Sequence, residues 1–259
     1  MNKTFYFHLI IPAMFLVLSF GCGSPRDGIA LNLAPTSSDD LAVEQFGAMR
    51  EVMREGKTEA RVRLVDVVAT PHAYAVGALE GLTGEVMIVD GEVWVSRVET
   101  NGAISVTGPD PVEEDSATLL TVGHVSKWHS TTIETAVAGT ELESLIRQIA
   151  SAKGLDTERP FPFRIEGQLT NIDLHVINGY CPIATDPATE EKKPWRNNNR
   201  VTVSVNIVGF FAHNAVAVMT HHGTSVHAHA IVTVDDKKVM GHIDKVTVEP
   251  GMTLFVPEF

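Results

Sequence analysis

The sequence predicts an α+β protein: a mixed β-sheet part with helices, followed by an antiparallel β-sheet or barrel that carries a three-histidine metal site. Three observations predict it. Helix-period apolar spacing is confined to residues 41–55 and 141–150, β-branched runs broken by turn signals fill most of the rest, and the stretch from His227 to His242 sets histidines at strand spacing. With 259 residues, of which 44% are hydrophobic and 20% charged, the chain can build one large core or two modest ones. A formal net charge of −12, with no Lys/Arg stripe, argues against nucleic acid, whose phosphates reward the opposite balance. It also gives no polybasic patch for a membrane surface.

Met1-Asn2-Lys3 precedes an apolar run from Phe5 to Phe20 that ends in Ser19-Phe20-Gly21-Cys22. A basic start, a short apolar stretch and small residues before a cleavage point make a secretory signal, and the run is short for a span of about 20 residues. Gly-Cys after such a run resembles a bacterial lipobox, although Phe20 and Ser19 depart from its usual residues. Residues 1–22 are therefore expected to direct export, with a lipid on Cys22 as the membrane anchor, or simple secretion otherwise. Residues 23–40, rich in Pro, Ser and Gly, read as a tether. Cys181 is the only other cysteine, so once Cys22 is lipidated or removed no disulfide framework remains.

In the folded part, Leu41, Val43, Phe46, Met49, Val52 and Met53 recur at near-helical spacing before Gly56, predicting a helix over 41–55. Strand-like runs follow at Val62–Val68, Tyr74–Leu79, Gly84–Val89 and Glu92–Val95, the last two flanking Asp90-Gly91, a strong hairpin signal. Glu85 opens one of these otherwise apolar strands. Val106–Glu114 reads as a loop, Leu119–Val125 as a short apolar run, and 141–150 as a helix stopped at Gly154. Pro160 and Pro162 suggest a division between an N-terminal α+β part, 41–160, and a C-terminal β-rich part, 161–259. There, Phe163–Gly167, Leu169–Ile177, Val201–Phe211 and Ala215–Thr220 read as strands and Ala184–Asn199 as a polar loop.

The last hairpin carries the chemistry. Side chains alternate along a strand, so His227 and His229 share a face, and an even-numbered loop centred near Asp236 returns His242 to that face, opposite or diagonal to His229. Cross-strand neighbours lie roughly 4.5–8 Å apart, close enough for three imidazoles to share one zinc-like ion. A trio of unrelated surface or core histidines would need the H-x-H spacing and the third histidine to coincide. His124, His129, His213, His221 and His222 are expected to be structural or solvated.

These pieces, in this order, resemble the α-acetolactate decarboxylases. Gly77–Gly91 is similar to that family's G-T-x-x-G-L-D-G-E-[ML]-I-x-x-D-G segment, Met49–Gly56 to the preceding helix, Phe163–Gly167 to its R-I-D-G strand, and Gly209-Phe210 with His227, His229 and Gly241-His242 to its G-F…H-x-H-F…G-G-H-V run. The resemblance implies His227, His229 and His242 as ligands of Zn2+ or another divalent transition metal, with Glu85 as fourth ligand or acid/base. It implies a small 2-hydroxy-3-oxo acid as substrate, decarboxylation of 2-acetolactate to acetoin and CO2, and a homodimer. The family's arginine falls on His175 here, and the hairpin is two residues longer. A non-catalytic metal- or ligand-binding lipoprotein of the same fold is the alternative. The histidine hairpin also resembles PPC-type domains, but those are shorter and have no place for the Gly84-Glu85 segment. A cupin site wants Glu three or four residues after its second His, where Val232, Thr233 and Val234 stand.

Overall fold

The structure, a computed structural model, describes residues 41–109, 114–179, 192–234 and 236–258. The expected signal and lipobox (1–22, with Cys22), the tether (23–40) and Cys181 lie outside the described residues. Two sheets pack face to face. The first contains β1 (Val43–Phe46), β2 (Val62–Arg63), β3 (Ala73–Leu79), β4 (Glu85–Val89), β5 (Glu92–Val98), β6 (Ile104–Thr107) and β7 (Ser116–His124), in the order β1-β7-β3-β4-β5-β6 with β2 also on β7. All its pairings are antiparallel, so the expected mixed sheet is a purely antiparallel one. The physical reason is connectivity: short links join β3 to β6, and among the described residues no crossover helix brings two neighbouring strands parallel.

The second sheet contains β8 (Trp128–Thr132), β9 (Val137–Ala138), β10 (Phe161–Leu169), β11 (Ile172–Val176), β12 (Trp195–Asn199), β13 (Val203–Phe211), β14 (Val226–Val234), β15 (Lys237–Val248) and β16 (Thr253–Pro257). Their order is β12-β11-β15-β14-β13-β10-β16-β8, an open path of antiparallel neighbours with β9 on β15. Between the sheets lie Tyr74, Val76, Met87 and Trp94 from one side and Val208, Phe210, Ile231 and Met240 from the other. Helix α3 (Gly139–Ala152) covers the far face of the second sheet, burying Leu142, Ile146 and Ala150 against Phe163, Ile165 and Ala230 among others. Helix α2 (Leu64–Val68) covers the far face of the first through Leu64 and Val67. Each of the Val, Leu, Ile and Phe side chains so buried contributes about 1.5–3 kcal/mol by leaving water. Strand β3 is buried on both faces, which is why it reads as a continuous apolar run rather than an alternation.

Several elements differ from expectation. The predicted helix 41–55 is β1 followed by a shorter helix, α1 (Met49–Glu55). Gly47 separates them at φ 70°, and a Cβ there would sit 2.3 Å from the Thr118 carbonyl oxygen, so only glycine lets the chain leave β7 this closely. The run Val62–Val68 is mostly α2, because Leu64 and Val67, three apart, cover a sheet as well as a strand would. Ile104–Thr107 pairs with β5 and takes the start of the expected loop, while Trp195–Asn199, also expected as loop, pairs with β11. Ala215–Thr220 is a compact set of turns with one bridge, Val216 to Thr220. The hairpin at Asp90-Gly91 forms as expected, with φ of 51° and 85°.

Candidate metal centre

Strand β14 divides its side chains by the period of two. Ala228, Ala230 and Val232 enter the core under α3, whereas Ile231 packs between the sheets, and His227 and His229 share its side of the strand. The turn keeps register, so His229 lies directly opposite His242 on β15. One ring nitrogen from each of His227, His229 and His242 lies within 4.8 Å of the others. The ring centres are 5.1 Å (His227–His242), 5.2 Å (His227–His229) and 5.4 Å (His229–His242) apart. Three imidazoles around one tetrahedral ion, at about 2.1 Å per bond, would place their ring centres about 5.2 Å apart. His227 and His229 are 4% and 0% exposed, and His242 is partly buried. Burial first, then the neighbouring imidazoles, depress all three pKa values, His229 to about 3, so the rings are neutral near pH 7. Nδ1 of His227 and both ring nitrogens of His229 have no hydrogen-bond partner among the described residues. Buried, neutral and unpartnered nitrogens at this spacing fit a divalent metal.

The facing sheet supplies the carboxylate. On β4, Val86 and Ile88 point outward to the α2 core and Met87 points inward, which turns Glu85 inward too. Its Oε2 is 3.7 Å from His229 Nε2 and its Oε1 is 3.9 Å from His175 Nε2, while Oε1 accepts a hydrogen bond from the Ile177 N–H at 3.2 Å. Only 3% exposed, Glu85 has its pKa pushed up to about 7 by burial, against the opposing pull of His175 and the Ile177 N–H. A group so placed can carry a proton into a dry site.

His175, in the arginine's position by resemblance, does reach the site. It pairs with His242 across β11 and β15, with ring centres 4.7 Å apart. The β11–β15 register shifts beside this pair, leaving Asp244 unpaired and turned to His175. Asp244 Oδ1 is 2.8 Å from His175 Nδ1, and its Oδ2 accepts from Arg196 at 2.7 Å. A second set, His175, His242 and Asp244, also has ligand atoms within 4.8 Å; its carboxylate is already shared between an imidazole and a guanidinium.

Sequence reasoning missed Asp244, Arg196 and His221. Asp244, two residues beyond His242, carried a period-two signal. Arg196 sat in an expected loop, and His221 was expected to be bland. In the structure His221 lines a cavity of about 50 Å³ together with Glu85, His175, His227 and His242, whose apolar wall includes Met49, Val52, Met53 and Ile177. Glu258 is exposed and does not line it.

No curated protein matches the chain significantly. Among solved structures, acetolactate decarboxylases from Bacillus subtilis subspecies spizizenii (17% identity) and Bacillus subtilis strain 168 (15%) each align over 83% of this chain and 85% of their own, with a TM-score of 0.60. A Staphylococcus aureus protein of unknown function, described as similar to alpha-acetolactate decarboxylase, aligns over 83% and 84% at 16% identity and a TM-score of 0.55. At such identities these likenesses establish the fold. The family's sequence profile, described as alpha-acetolactate decarboxylase, matches residues 48–255, and over that span the chain belongs to the alpha-acetolactate decarboxylase family.

Proposed function

We propose that the protein decarboxylates 2-acetolactate (2-hydroxy-2-methyl-3-oxobutanoate) to acetoin and CO2, using a zinc-type divalent metal held by His227, His229 and His242. The observation that carries this reading is a buried carboxyl group, Glu85, set within 4 Å of His229 and His175 at the edge of an apolar cavity. The reaction breaks the bond from the carboxylate carbon to the hydroxyl-bearing carbon, and the electron pair flows into the adjacent ketone. Held by His227, His229 and His242, a divalent metal would supply Lewis acidity as that charge develops. Turnover consumes one proton. Glu85, whose pKa burial raises to about 7 in the metal-free fold, is placed to deliver that proton to carbon from one side. His175, oriented by Asp244, takes the polar end of the substrate, while Met49, Val52 and Met53 keep water out and seat the methyl groups.

Metal analysis of the purified protein should find about one zinc-like ion per chain, lost on His227→Ala or His229→Ala. Incubation with racemic 2-acetolactate should yield acetoin above the rate of spontaneous decay, abolished by chelation and lowered about 100-fold or more in Glu85→Gln. A second reading, a metal-bearing protein that binds a small polar ligand without turnover, is favoured by one observation: the cavity lining holds no Lys or Arg among the described residues. Bound metal with no metal-dependent acetoin would select it. In either reading we place the protein outside the cytoplasm, tethered through a lipid on Cys22, which mass spectrometry of the native N-terminus checks.

A further inference from the structure

We propose that His221 is a further substrate-contacting residue, which hydrogen-bonds the carboxylate of a bound small α-hydroxy acid. This rests on the reading of the cavity as the substrate site. His221 belongs to none of the metal-ligand groups, yet its ring centre is 5.3 Å from that of His242 and 6.0 Å from that of His227, and it lines the cavity. Its Nδ1 is buried without a hydrogen-bond partner among the described residues. A buried polar nitrogen left unpaired is costly, and on a ring that lines a cavity beside a metal centre the cost is relieved when a ligand oxygen reaches it.

The segment that carries it is built, not loose. Between β13 and β14 the chain folds back so that the Ala217 N–H donates to the Thr220 carbonyl, the Thr220 hydroxyl to the Thr224 carbonyl, and the Thr224 hydroxyl and Ser225 N–H to the Glu143 carboxylate on α3. The Met49 and Arg50 N–H groups of α1 donate to the Val218 and Ala217 carbonyls. Met219 and Thr220, immediately before His221, are buried anchors, and Ala217 holds φ 64°, a strained value for a residue with a Cβ. Pinned at both ends, the segment fixes the imidazole beside the trio.

Charge identifies which ligand atom it meets. Among the described residues the cavity lining has no permanent cation, and Arg196 is paired with Asp244. A carboxylate entering this space therefore finds imidazole N–H groups as its donors, and among the described residues two imidazoles outside the metal trio line the cavity: His175, its ring centre 4.7 Å from that of His242, and His221, 5.3 Å from it. Burial also lowers the His221 pKa, which leaves a neutral ring with one N–H to give.

The test uses the metal-loaded full chain and two inert probes: 2-hydroxy-2-methylpropanoate, which has the hydroxyl and carboxylate but no ketone, and acetoin, which has no carboxylate. Binding is measured by calorimetry for wild type, His221→Phe, which keeps ring bulk, and His221→Gln, which keeps a donor. We expect the hydroxy acid to bind wild type, to weaken about 10- to 100-fold in His221→Phe and to recover at least in part in His221→Gln. Acetoin binding should change less than about 3-fold, and metal content should stay that of wild type. Unchanged hydroxy-acid binding in His221→Phe overturns the proposal, as does wild type failing to bind the hydroxy acid. If wild type forms no acetoin from acetolactate but binds the hydroxy acid through His221, the decarboxylase reading falls and this one stands. If acetoin forms with the same KM in His221→Phe, the reverse holds.

Discussion

Stripping the metal and lowering the pH should destabilise the protein, with Glu85 halving the loss. In the metal-free fold, burial holds the pKa values of His227, His229 and His242 down, His229 to about 3, whereas each is about 6.5 in the unfolded chain. As the pH falls through about 6.5, the unfolded chain takes up protons that the folded one refuses. Between about pH 7.5 and 5.5 this removes about 1.4 kcal/mol per imidazole, roughly 4 kcal/mol for three. Glu85 acts in the opposite direction. Its pKa is about 7 when folded and about 4.3 when unfolded, so over the same interval the folded state gains a proton and about 2 kcal/mol. The net loss is about 2 kcal/mol, which at a slope of about 2 kcal/mol per molar lowers the urea midpoint by roughly 1 M. Urea titrations followed by tryptophan fluorescence in chelator, at about pH 7.5, 6.5 and 5.5, measure it. Glu85→Gln removes the offset and should about double the drop. A midpoint that is flat or rises toward pH 5.5, or an identical drop in Glu85→Gln, refutes the reasoning.

Two further outcomes are expected. A Cβ at Gly241 would lie 2.5 Å from the His175 carbonyl oxygen, so Gly241→Ala must push β11 away, costing about 1–3 kcal/mol and several degrees of melting temperature; a melting temperature equal to wild type counts against it. Asp244→Ala frees the His175 ring from its partner and should lower the acetoin rate about 10- to 100-fold while metal content stays near wild type. An unchanged rate removes Asp244 from the positioning of the site.

The histidine hairpin was legible because strand geometry is local: a period of two and an even turn bring His227, His229 and His242 together whatever else the chain does. Asp90-Gly91 and Gly154 were legible for the same reason, since each demands a backbone that only a turn or a helix end provides. Where sequence reading failed, short apolar runs had two solutions of equal local quality. Leu41–Met53 fits a helix as a list, and becomes β1 plus α1 because β7 is there to pair with Val43–Phe46 and Gly47 permits the approach. Residues 195–199 look polar enough for a loop, and become β12 because β11 offers an unpaired edge.

By itself, then, the sequence determined the α+β class, the antiparallel hairpin and the likeness to one family, all of which depend on spacing along the chain. Beyond the roles of Glu85 and His175 that the likeness implied, the tertiary structure decided how the surroundings of the trio are arranged. It brought Glu85 across from another sheet, turned Asp244 onto His175 through a one-residue register shift, and lowered His221 into the cavity on a pinned segment. Those three depend on contacts between residues 69 to 144 positions apart or on the burial of a loop, and burial, which sets the Glu85 proton near pH 7 and keeps the imidazoles neutral, is a property of packing rather than of any residue's own chemistry.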